Sequence, residues 1–261
     1  MNIPFFFKSA FLLTVFSCLS VFTSVDLEAS PFRVGIYKIP PHIFHENHKA
    51  SGAAVDYFNI IAERMGLNNF EYEAYPLSRL LQYLENGRLD AALFLAKNTD
   101  RATKLQFPLK PFFELIPSVA VTAEFPLEKV SSVTDLSGFR VGILQDSYVS
   151  PLLVHSTIHI DALSGMNAPI NNLKKLLAKR LDAVFLPRST IRYEIEKLNQ
   201  TEKIKILRLA GPVLPVYTVF SKKVDREFIH RYEKAIQSND SEIYQSLIES
   251  YIASRVKTVI N

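Results

Sequence analysis

The chain has 261 residues, 48% of them hydrophobic and 21% charged, with a formal net charge of +4. That length holds one or two domains with real cores, and the composition excludes a disordered polymer. The small basic excess is spread without lysine or arginine runs, which argues against nucleic acid and fits ordinary solubility with some attraction for anionic ligands.

Lys8, the largely apolar run 10–22 and a polar stretch closing in Leu27-Glu28-Ala29 have the layout of an export signal cleaved near Ala29. The competing reading is a membrane anchor, but the run is short and interrupted by Ser and Thr, so it fits a bilayer poorly. Residues 1–29 are therefore assigned as a signal peptide. Its loss removes Lys8, Asp26 and Glu28 and takes the formal charge from +4 to +5. The single cysteine, Cys18, falls inside it, so the mature chain can hold no disulfide. Lipidation of Cys18 after Val15-Phe16-Ser17 is the alternative, against which stand the short apolar run and the bulk of Phe16.

The mature part opens on an apolar strand at 32–37. Its pentapeptide Phe-Arg-Val-Gly-Ile, at 32–36, recurs at 139–143, and each copy is followed by Arg-Leu-Asp-Ala, at 88–91 and 180–183. This is a diverged duplication. A loop at 39–44 follows, extended by Pro40-Pro41. Beyond the turn at Ser51-Gly52, Val55, Phe58, Ile61, Ala62 and Met65 recur at helical spacing and Gly66 is placed to cap them. A strand at 70–74, a helix at 76–85 ended by Asn86-Gly87 and a strand at 89–95 complete a βαβαβ unit.

A segment rich in proline and aromatics, 107–117, leads into a crossing strand at 118–122. The second unit then contains the repeat strand at 139–144, a helix starting near Ser147, a strand around 158–162, a helix at 171–179 and a strand at 182–186. A second crossing strand at 213–220 brings the chain back. Phe228, Ile229, Tyr232 and Ile236, then Ile243, Leu247, Ile248, Tyr251 and Ile252, mark two closing amphipathic helices. The expected fold class is α/β, with two similar lobes joined by two crossing strands. The first lobe comprises 30–118 and 219–261, the second 119–218. Lobes of this kind place functional residues at the carboxyl ends of their strands, and a cleft between two of them can enclose a small molecule. The two crossings would serve as its hinge.

The order of export signal, strand, Pro-Pro-aromatic loop, Gly-x-x-Val-Asp at 52–56, Asn-Gly-Arg-Leu-Asp at 86–90, Thr-Asp-Arg at 99–101, Phe107-Pro108-Leu109 and Asp-Leu-Ser-Gly-Phe-Arg-Val-Gly at 135–142 resembles the bacterial extracellular solute-binding proteins of family 3. The resemblance covers nearly the whole mature chain. It implies the periplasmic binding protein type II fold and periplasmic capture of polar amino acids or similar solutes. It also implies delivery to an inner-membrane ABC permease. No cofactor is expected, and nothing in the sequence forces more than a monomer.

It further implies that Arg101 grips a ligand carboxylate, a task suited to the planar guanidinium fork; an arginine at a surface helix start is the bland alternative. Thr99 is expected to cap that turn and to donate. Gln145 and Ser147 fall in the loop after the second repeat strand, where a hydroxyl and free N–H groups at a helix start hold the same carboxylate; an N-cap without ligand contact is equally open for Ser147. Tyr37 or Phe44 would stack on the ligand, unless they are core. Arg79 is a second candidate anion contact or else a solvated charge.

The chain departs from the family's pattern in the second lobe. Where amino-acid-binding members carry an aspartate for the ammonium, this chain runs Asp182-Ala183-Val184-Phe185-Leu186-Pro187-Arg188. Arg188 and Lys97, with Arg101, therefore point to an anionic or weakly zwitterionic ligand. His42, His45, Glu46 and His48 match no established zinc spacing and read as a polar loop rather than a metal site. No Ser-His-acid set is recognisable by spacing and no cysteine remains after processing, so an enzyme is not expected. An exported sensor acting on a membrane receptor would use the same cleft and is the alternative function.

Overall fold

The computed structural model describes residues 30–260, with side chains as far as Ser254. The expected export signal and Cys18 lie outside the described residues.

The two copies of the repeated motif build the same parallel strand pair. In the first half, β1 (Phe32–Ile36) leads into a loop with a cis Pro40-Pro41 bond and the hairpin β2 (Phe44–Glu46) and β3 (Lys49–Ser51). Helix α1 (Ala53–Met65) follows, ended by left-handed Gly66, then β4 (Phe70–Ala74), α2 (Leu77–Glu85) and β5 (Ala91–Ala96). Strand β1 lies parallel between β4 and β5. After α3 (Thr99–Lys104) and β6 (Phe113–Leu115), the chain enters the second half through β7 (Pro117–Thr122) and β8 (Lys129–Val130). Here β9 (Arg140–Leu144) lies parallel to β10 (His159–Leu163) and, beyond α4 (Ala168–Leu177), to β11 (Ala183–Pro187). Then come α5 (Arg188–Lys197), β12 (Ile204–Leu209), β13 (Leu214–Phe220), α6 (Arg226–Ala235) and α7 (Asp240–Ile260).

The sheets have orders β4-β1-β5-β13-β6 and β10-β9-β11-β7-β12-β8. In each, two crossovers join three parallel strands, helical except between β9 and β10, where only a short 3-10 turn intervenes, and an antiparallel fourth strand flanks them, β13 on β5 and β7 on β11. The chain thus passes between sheets twice, at Ile116 and in the segment 210–213.

The repeated residues have one structural job each. Asp90 Oδ2 accepts the backbone N–H of Arg33 at 2.8 Å, and Asp182 Oδ2 accepts that of Arg140 at 2.8 Å. Each aspartate therefore ties the start of one repeat strand to the start of the other. A Cβ at Gly35 would stand 2.6 Å from Leu89 Cδ1, and one at Gly142 would stand 2.5 Å from Leu181 Cδ1. The glycine of each pentapeptide is thus a seat for the leucine of the following Arg-Leu-Asp. Both leucines are buried, so the motif couples sequence-distant halves of a lobe through close packing.

One hydrophobic core joins α1, α2, α6 and α7 to the first sheet and runs on to α4 and α5 against one face of the second. A separate cluster around Val119, Val141 and Phe185 fills that sheet's other face. Helix α7 is anchored at its first residue, where buried Asp240 pairs with Arg64 at 2.9 Å and accepts from Tyr57. Further along, Tyr251 donates to Asp56 at 2.8 Å.

Three local expectations change. No helix starts near Ser147. Asp146 is left-handed (φ 60) and closes a turn, residues 147–150 are irregular, and only a short 3-10 turn at Pro151–Leu153 follows. The helix expected at 171–179 starts at Ala168, with Pro169 in its first turn, where a missing N–H costs nothing. Helix α5 and strand β12 occupy the stretch between the repeat and the return strand, where no element was expected.

Candidate functional site

A β-bulge shapes the mouth of the cleft. Between the pairs Ala92↔Val219 and Leu95↔Tyr217, two residues of β5 oppose one of β13, and Phe94 sits at φ 61. A left-handed aromatic inside a strand costs on the order of 1–2 kcal/mol, and bulges of this kind re-aim the strand end. The freed carbonyl of Phe94 accepts the Tyr37 hydroxyl at 2.9 Å. The strand then delivers Ala96, whose carbonyl accepts Arg101 Nη1 at 2.8 Å.

Arg101 is held from several sides. Asn98 caps α3 by accepting the Arg101 backbone N–H at 2.8 Å. Thr99, expected as the cap, is instead exposed at the first helical position. The Arg101 side chain crosses the cleft, Nη2 donating to the main-chain carbonyl of Asp146 at 2.6 Å. The residue is only 4% exposed, and among the described residues no carboxylate lies within ion-pair distance of it. Burial pulls its pKa down, partly opposed by Tyr37 and by the more distant Asp146, Asp100 and Glu85. Burial likewise pushes the Tyr37 phenol well above its ordinary range, partly offset by Arg101. Two carbonyls satisfy two of the five guanidinium N–H donors and none of the charge. A buried cation so placed is costly unless an anion joins it.

Arg101 and Ser147 stand between two spaces. One is a cavity of about 70 Å³ with walls from both halves, including Tyr37, Ile39, Phe94 and Leu115 on one side and Leu144, Phe185 and Leu186 on the other. The other is a polar cleft of about 760 Å³ lined by Ser78, Arg79, Asp100, Lys104 and Asp146. The arrangement can hold an anionic group at the neck between them.

The structure brings together Tyr37, Arg101 and Ser147 at the small cavity and adds Arg79, exposed, at the polar cleft. Gln145 is exposed beside a neighbouring crevice and donates to the Asp146 side chain at 3.2 Å. Ser147 offers a hydroxyl but no free helix-start amide, since its N–H donates to Leu144. Phe44 is packed away from the cavity against Tyr193 and Tyr251. Arg188 opens α5 and lines a separate groove with Glu114, Arg192 and Glu249. Lys97 lies 5.6 Å over the Phe107 ring.

The histidines separate. His45 and His48 face one another on the hairpin, whereas His42 is fully buried, stacked on Phe94. Its two ring nitrogens lie 2.7 Å from Tyr244 Oη and 2.6 Å from Ser189 Oγ, so it bridges the two halves. No sequence signal distinguished it from its neighbours. The apolar cavity walls were missed because residues such as Leu95 and Leu186 read as ordinary buried strand.

Comparison with solved structures finds the same two-lobed architecture repeatedly. An ancestral arginine-binding protein bound to arginine superposes with a TM-score of 0.68 at 21% identity, over 85% of this chain and 98% of that one. The Streptococcus pneumoniae amino acid ABC transporter substrate-binding protein AbpA, bound to L-arginine, gives 0.70 at 20% identity over 86% and 95%. A histidine kinase sensor domain with similarity to periplasmic binding proteins gives 0.67 at 20% identity over 87% and 95%. No curated protein matches the sequence. At these identities the likeness establishes the fold, the two-lobed periplasmic binding protein type II arrangement. Residues 32–254, nearly all of what the structure describes, match the bacterial extracellular solute-binding proteins, family 3, and the chain belongs to that family.

Proposed function

We propose that this protein is exported and captures a small carboxylate-bearing solute in the cleft between its lobes, for delivery to an ABC-type permease. The observation that carries the reading is Arg101, a buried guanidinium at the cleft neck with no carboxylate of its own. Arg101 takes the ligand carboxylate, the Ser147 hydroxyl adds a donor from the second lobe, and Tyr37 forms part of the wall. Arg79 attracts anions at the mouth. The lobes divide at Ile116 and in the segment 210–213, so small rotations in these two connections open and close the cleft. Amino acid transporter proteins among the structural neighbours support the transport role.

A sensory role shares the same chemistry and is favoured by the histidine kinase sensor domain of similar fold. Its ligand-bound form would act on a membrane receptor rather than a permease.

A thermal-shift screen of the ligand-stripped protein against amino acids, organic acids and amines tests the capture step, because a ligand that binds only the folded state raises its melting temperature. The expected result is a carboxylate hit that Arg101→Ala abolishes. A hit confined to amines, or one indifferent to Arg101→Ala, would contradict the reading.

A further inference from the structure

Taking as its basis the capture of a carboxylate at Arg101, we infer that the cleft selects a compact monocarboxylate with an apolar body and discriminates against the corresponding α-amino acid. An α-amino acid presents two charges on adjacent atoms, and an ammonium withdrawn from water needs a carboxylate or several acceptors close to the carboxylate receptor. Beside the guanidinium, the small cavity offers no carboxylate, and its other polar side chains are the neutral hydroxyls of Tyr37, Ser147 and Tyr148. Its described lining contains no aspartate or glutamate, and most of its surface is hydrocarbon.

The second-lobe wall is decisive. Leu186 and Pro187 end β11, directly opposite Ser118 and Pro117 in the antiparallel pair with β7. Leu186 is 3% exposed, and Leu186, Pro187 and Pro117 line the cavity with hydrocarbon side chains where an ammonium would need a carboxylate. Tyr37 presents a neutral hydroxyl, its proton donated to the Phe94 carbonyl, rather than an anion that could pair with an ammonium.

Among the described lining residues, the acidic groups near Arg101 belong to the large polar cleft, Asp100, Asp146 and Glu85, where Arg79 and Lys104 accompany them. A ligand with its carboxylate at the neck and its body in the cavity of about 70 Å³ turns its α-carbon toward Ile39, Leu115 and Phe185. A methylene is welcome there and an ammonium is not. The small volume favours a short branched or singly aromatic body over a long chain.

Matched pairs differing only in the amino group test this on the purified, ligand-stripped chain by titration calorimetry. 3-Methylbutanoate is compared with valine, and 3-phenylpropanoate with phenylalanine, with arginine as a cationic reference. The expected result is that at least one deaminated acid binds no less than about tenfold more tightly than its amino acid, with arginine weaker than either. A preference below tenfold in both pairs, or tighter binding of valine, phenylalanine or arginine, would overturn the selectivity while leaving carboxylate capture intact. Binding of no carboxylate in either series would overturn both.

Discussion

At the scale of single residues, two buried groups with opposite electrostatic demands meet near Phe94. Arg101 keeps its charge and lacks an anion, whereas His42 is held neutral. Burial lowers the His42 pKa to about 3, against about 6.5 for an unfolded histidine. The unfolded chain therefore takes up a proton in the interval where the folded protein does not. The stability carried by neutral His42 is complete above about pH 6.5 and is lost as pH falls toward 3. Between pH 7 and pH 5 the loss should be about 2 kcal/mol, and His42→Gln should remove it. Urea denaturation of both proteins at the two pH values measures the difference, and equal pH dependence would refute the assignment.

The same scale marks what could be read from sequence. Arg101 stands out because Thr-Asp-Arg at 99–101 matches the motif of the family that the chain resembles. Its satisfaction by Ala96 and Asp146 carbonyls, and the capping by Asn98 in place of Thr99, depend on backbone geometry that residue types do not encode. His42 sits in a run of histidines that pattern alone treats as one polar loop, although the prolines before it turn it into the core.

At the scale of elements, the duplication was legible because Phe-Arg-Val-Gly-Ile and Arg-Leu-Asp-Ala serve packing needs that tolerate few substitutes. The glycine must be small for the leucine to fit, and the aspartate must reach the strand amide. Gly142→Ala should therefore destabilise the second lobe by roughly 1–3 kcal/mol through overpacking against Leu181. Adding Leu181→Val should recover part of that loss, since the two positions touch. Chemical denaturation of the single and double variants checks both; purely additive losses would mean that the contact with Leu181 is not the cause. The elements that were not foreseen have weaker signals. Helix α5 begins directly after Pro187, without a side-chain cap, and has mixed polarity. The irregular stretch after β9 has a favourable Ser147 but is broken by left-handed Asp146 and by Pro151.

At the scale of the whole molecule, the halves touch on both sides of the cavity. Arg101 reaches Asp146 on one side; on the other, His42 reaches Ser189, Phe44 meets Tyr193, and Arg192 pairs with Glu249 at 3.2 Å. With two short connections, such a molecule moves between discrete arrangements rather than deforming continuously. A bound anion would favour the closed one by supplying the charge that Arg101 lacks. The two-lobed plan was readable from the order of strands and repeats. The apolar character of the cleft was not, because a cavity wall and a core strand are written in the same residues.

The measurement that bears most directly on this account is titration calorimetry of the best carboxylate ligand against the wild-type chain and Arg101→Gln, with thermal unfolding of both to confirm the fold. Removing one partner of a buried charge pair should weaken binding roughly 100-fold, about 3 kcal/mol. Unchanged affinity in a folded Arg101→Gln protein would show that the carboxylate is held elsewhere.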